Sequence, residues 1–123
     1  MKVYNYPMLP MPGSVLNQNI TGPAMQLYEM FGFAIQISWT GVPNGTFKLQ
    51  CSADHSSLGP PGSYTPTNWS DITDSPLVVT AAGNYTWNVY DSMFNWVRLV
   101  YTDASGGTSI AVLNDATFNG KGA

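Results

Sequence analysis

Side chains that move protons, hold metals or stack on ligands are scarce in this chain. Its one histidine, His55, follows Asp54 in a polar stretch. A carboxylate beside an imidazole can orient it for general base work. One histidine cannot form the usual metal cluster, however, and no serine sits in a GxSxG elbow. Asp-His neighbours in loops are commonly just solvated, so no enzyme is expected. The one cysteine, Cys51, excludes an intrachain disulfide. It alternates with Phe47 and Leu49 and reads as a small buried hydrophobe. Asp71, Asp74, Asp91, Asp103 and Asp115 fall mostly near turns. Calcium takes several loop oxygens, but none of these lies in a recognisable calcium loop, and aspartate capping a turn is the simpler role. No cofactor and no metal site is expected.

Aromatic rings make up 13% of the chain, and Tyr64, Trp69, Tyr90 and Trp96 fall at loops or strand ends. Flat rings stack on sugar faces, with Asn and Asp as hydrogen-bond partners. Tyr64, Trp69 and Trp96 are therefore candidate ligand or interface residues. Coplanar exposed rings would favour sugar, and rings buried under a neighbour would favour assembly. Four Asn-x-Ser/Thr sequons begin at Asn19, Asn44, Asn68 and Asn84. A chain this rich in Asn and Thr produces them by chance.

Short strands must position these groups. In residues 83–102, Tyr85, Trp87 and Val89 alternate with Thr86, Asn88 and Tyr90, and then Val97, Leu99 and Tyr101 alternate with Trp96, Arg98 and Val100. That period of two predicts two strands, with Asp91-Ser92-Met93 as a hairpin turn. The second is apolar on both faces apart from Arg98, as a central strand is. Residues 33–40 (FAIQISWT) and 46–53 (TFKLQCSA) predict another antiparallel hairpin around a turn with Pro43 and Asn44-Gly45. Residues 54–68 form the longest irregular segment. Short strands follow at 69–73, 77–80 and 108–118. The total is about seven or eight short strands with no amphipathic helix. The fold class is all-β: an antiparallel β-sandwich, jelly-roll-like. Ile35, Ile37, Phe47, Leu49, Trp87, Val97, Leu99 and Val112 are the expected core.

Residues 1–23 stand apart. Pro7, Pro10, Pro12 and Pro23 exclude a continuous helix or central strand. Val3, Tyr4, Tyr6, Met8, Leu9 and Met11 nevertheless need burial. The predicted organisation is an extended proline-rich N-terminal arm, 1–23, and a sandwich domain, 24–123. The six apolar residues are candidates for contact with a neighbouring subunit. The arm should then be removable without melting the sandwich. The alternative is an arm folded back on its own sandwich.

With 123 residues the chain is one domain's length. Charged residues are 9% of it, against the usual quarter. So few charges favour packing against neighbours. Net charge is −3, and Lys2, Lys48, Arg98 and Lys121 are scattered, so no basic stripe exists to meet phosphates. Nucleic acid is not an expected partner. Neither is a membrane, since no apolar run approaches spanning length. The N-terminus lacks the apolar region of a signal peptide.

From Phe33 onward the order of segments resembles a group of small tailed-bacteriophage virion proteins. The resembling runs are FAIQISWTGVPNGTFKLQCSAD, NWSDI, GNYTWNV, WVRLVYTDASGGTS and ATFNGKG. The family pattern is a sandwich with an Asn-Trp step into a strand and a late aromatic-Val-Arg-Leu strand. Here the step at Asn68-Trp69 is preceded by an added HSSLGPPGSYTPT. The resemblance implies a virion location and a structural role, most like a head-decoration or cement protein. Its implied partners are itself, as a homo-oligomer such as a trimer, and the major capsid protein or another virion protein. The same step is similar to one in carbohydrate-binding sandwiches. That implies the alternative of a sugar-binding module on a phage tail or fibre.

Overall fold

The computed structural model describes residues 2–55 and 65–122. They form ten strands: β1 (Lys2–Pro7), β2 (Ile20–Thr21), β3 (Met25–Gln26), β4 (Met30–Thr40), β5 (Gly45–Ser52), β6 (Ser70–Asp71), β7 (Leu77–Val79), β8 (Gly83–Tyr90), β9 (Trp96–Asp103) and β10 (Val112–Gly122). One antiparallel sheet has the order β1-β10-β4-β8. The other has β9 and β5 at its centre, with β2 and β3 beside β9 and β6 and β7 beside β5. The chain crosses repeatedly from one sheet to the other, giving the expected antiparallel β-sandwich.

That crossing overturns both predicted hairpins. β4 pairs with β10 and β8, whereas β5 pairs with β9 in the opposite sheet. The short connections at 41–44 and 91–95 therefore bridge the two sheets. Gly41 makes the first bridge possible. Its φ is +84°, and a Cβ there would sit 2.9 Å from Ala111 Cα. Gly45 lies so close to the Thr102 carbonyl and the Tyr101 ring that no side chain fits. Each long strand found a better-matched partner elsewhere in the chain. β5, for example, matches β9 over its whole length, from Gly45↔Asp103 to Ser52↔Trp96.

The core sits between the sheets. Phe33, Ile35, Ile37, Trp39, Trp87 and Phe118 face Phe47, Leu49, Val97, Leu99 and Tyr101. Burying a side chain of this size contributes roughly 1.5–3 kcal/mol before entropy. Tilted ring contacts run through it: Trp39 meets Phe47 across the two sheets at 5.8 Å, and Phe47 meets Tyr101 of its own sheet at 4.6 Å. β9 is central in its sheet, as its composition predicts. Val112 is only half-buried, and Leu113 takes the core position. A bulge at Asn114 shifts the register of β10 by one residue, so that Leu113 points inward before it and Ala116 and Phe118 after it. Cys51 is half-buried rather than core, and burial raises its thiol pKa.

Residues 1–23 are not a separate arm in the described structure. Lys2–Pro7 pairs with β10 from Lys2↔Gly122 to Pro7↔Thr117. Met8, Met11 and Leu16 are buried in the same core as β4 and β5. The backbone N–H of Met8 donates to the Ala116 carbonyl at 2.7 Å, and that of Leu16 to the Ala111 carbonyl at 2.8 Å. The prolines forbid a central strand, but an edge strand tolerates Pro7 at its end. The boundary at residue 23 is thus no domain boundary.

Candidate assembly and binding face

Across the middle of its outer face the four-stranded sheet sets a lattice of uncharged side chains by strand register. One row across the sheet is Asn5-Asn119-Ala34-Asn88, and the next is Pro7-Thr117-Gln36-Thr86. A third holds Asp115, Ser38 and Asn84, and a fourth Val3, Lys121, Gly32 and Tyr90. Lys121 and Asp115 thus lie in the two outermost rows, with two rows of amides, hydroxyls and small side chains between them. Asn5 donates to Asn119 across the first of these at 3.4 Å. Small Ala34 leaves a hollow of about 260 Å³ bordered by Asn5, Gln36, Thr86 and Asn119.

At the Tyr90 end the sheet opens into a cleft of about 330 Å³. Phe31, Asn88, Tyr90, Asp91, Asn119 and Lys121 line it. Tyr90 is 82% exposed and Phe31 50%. Phe31 follows the spacing of Phe33 and Ile35, but the register with β10 shifts by one residue there, from Lys121↔Gly32 to Gly122↔Met30. Met30 takes the inward place beside Gly120 and Phe118, and the bulged Phe31 is left exposed.

The other sheet's outer face carries a joined set of charges instead. Lys48 Nζ donates to Asp71 Oδ2 at 3.0 Å, and Gln50 Nε2 to Asp71 Oδ1 at 3.0 Å. Those bonds, Gln50 first, hold the Asp71 carboxyl below the usual range. Arg98 Nε donates to Gln50 Oε1 at 2.8 Å, and its guanidinium lies 4.1 Å above the Trp69 ring.

Of the predicted rings, the two that the structure describes do not form an exposed pair. Trp69 is half-buried and covered on one face by Arg98. Trp96 is buried and cannot stack on a ligand. Tyr64 lies outside the described residues. Among the six arm residues, Met8 and Met11 are core and therefore not contact residues, and Tyr4 is half-buried. Val3, Tyr6 and Leu9 are exposed.

The Asp54 carboxylate has a structural task. It accepts the backbone N–H groups of Thr67 at 2.8 Å and Asn68 at 3.1 Å, and the Asn68 side-chain amide at 2.9 Å. These donors, the Asn68 side chain first, lower its pKa to about 2. It closes the long irregular segment end to end. His55 beside it is exposed. Among the described residues no group of three or more His, Cys, Asp or Glu could hold a metal ion. No helix among them is long and apolar enough to cross a membrane.

No protein-family profile matches the chain, and no curated protein sequence does. Among solved structures it is similar to the coat protein of Tobacco streak virus. The coat protein dimer aligns at 10% identity with a TM-score of 0.46, covering 99% of this chain and 86% of that one. A second crystal form aligns at 11% identity and 0.46, covering 99% and 87%.

Proposed function

We propose that this chain is a structural protein of a tailed-phage particle, a decoration or cement protein that forms homo-oligomers and stabilises the head shell. The uncharged middle rows on the outer face of the four-stranded sheet carry the proposal. Burying a charge against a partner is expensive unless it is paired, whereas amides and hydroxyls can exchange water for one another. Identical copies without charges on the meeting surface do not repel. The segment order shared with small phage virion proteins supports the same reading. Val3, Tyr6 and Leu9 are the part of the predicted arm left to touch the major capsid protein or another virion protein. Immunogold labelling and mass spectrometry of particles from infected cells test the role. Regular label on the head shell is expected, and a chain found only in the particle-free lysate contradicts it.

A second reading rests on the Tyr90 cleft. Two exposed rings beside Asn88, Asn119 and Asp91 are a chemistry suited to a neutral sugar. A glycan array should then show binding that Tyr90→Ala removes. An empty array, or equal binding by the variant, ends this reading.

A further inference from the structure

We infer that β8 pairs edge to edge, antiparallel, with β8 of a second copy of this chain. The inference rests on the assembly reading above and names its surface and partner. β8 is the last strand of its sheet, and among the described residues no strand pairs with its outer side. An edge strand presents a row of unpaired N–H and C=O groups, and folded proteins usually guard it.

Three of the four sheet edges are guarded. β1 carries Lys2 at one end and Pro7 at the other. The edges of the second sheet are cut into pieces: β2, β3 and β6 have two residues each and β7 three. β8 has eight residues, GNYTWNVY, without a charge or a proline. Its pairing with β4 runs from Gly32↔Tyr90 to Trp39↔Gly83 without a bulge. It is also held rigidly. Trp87 Nε1 donates to the Ser75 carbonyl at 2.9 Å, and Ser75 bonds the backbone of Leu49 in the opposite sheet. Just before β8, the Ala81 carbonyl accepts Trp39 Nε1 at 2.6 Å.

A second copy fits this edge because the strand is compatible with itself. Antiparallel neighbours place directly opposed side chains on the same face. A two-fold axis through Trp87 sets Thr86 against the partner's Asn88 and Tyr85 against the partner's Val89. The uncharged lattice of the outer face then continues across the axis, and no like charges meet. Tyr85, which is exposed on the inward side of the edge, gains an apolar neighbour. Such an interface is isologous and closes at two.

The test uses the full chain and its solution mass by sedimentation and light scattering. Thr86 and Asn88 are exposed, so lysines there leave the core untouched. Whether the axis passes through Thr86, Trp87 or Asn88, the Thr86→Lys/Asn88→Lys pair sets lysine against lysine. The wild-type chain should weigh twice 13.3 kDa. The lysine variant should weigh half as much, and so should Thr86→Glu/Asn88→Glu. Mixing the two should restore the dimer, which a misfolded variant would not do. Asn5→Lys, on the same face at the β1 edge, should stay dimeric. A wild-type monomer, a trimer, or a dimer indifferent to both variants overturns β8 pairing. A trimer or an indifferent dimer leaves the assembly reading standing. A wild-type monomer leaves that reading to be decided by the particle labelling.

Discussion

The two edges of the four-stranded sheet, β1 and β8, were built to opposite rules. β1 ends in a lysine that bonds Glu29 Oε2 at 3.0 Å and in a proline that cannot donate. A charge and a proline at its ends make it a poor template for another strand. β8 offers uninterrupted backbone and neutral side chains. Both edges belong to one sheet with one core beneath it, so the core does not decide which edge meets a partner. The difference lies in a few exposed residues that contribute little to folding. β1 gives up partners and contributes burial, through the Met8, Met11 and Leu16 that follow it.

The contrast breaks most visibly at β1. Deleting residues 2–16 removes a six-residue pairing with β10 and three core side chains. Domains of this kind hold only about 5–15 kcal/mol in total. The truncated chain should lose its cooperative thermal transition, where a detachable arm would leave the midpoint unchanged. Met8→Ala should cost about 2–5 kcal/mol in a denaturant titration, as other buried Met truncations do. Val3→Ala, at an exposed position on the outer face of the same segment, should change stability by no more than about 0.5 kcal/mol. A Met8→Ala variant as stable as wild type would put that side chain outside the core.

The sequence made the strands visible and hid their partners. Alternation in 33–40, 46–53 and 83–102 marks strands that the structure contains, and it sorts Phe33, Ile35, Ile37 and Trp39 correctly to one face. Pairing is non-local, however, and a short turn with Asn-Gly looks alike whether it closes a hairpin or bridges two sheets. The bulge at Asn114 leaves no mark in composition, so the period through Val112 gave the wrong inward residue. In residues 1–23 the prolines were legible as breaks, but nothing local reveals that Met8 and Met11 reach the chain's own core. Tyr90 was legible as a ring near a loop. Phe31 was not, because its spacing matches that of Phe33 and Ile35 and only the shift of β4 against β10 turns it out of the core. Composition thus points to residues 1–23 as the assembly element, whereas the open sheet edge is β8.

Hydrogen exchange of the backbone amides at low and high protein concentration tests edge pairing most directly. An amide at a free edge exchanges fast, and one bonded to a partner is protected. The account predicts that alternate amides of β8 gain protection as concentration rises, while the outward amides of β1 exchange rapidly throughout. Equal β8 exchange at both concentrations, or protection gained at β1 instead, would contradict it.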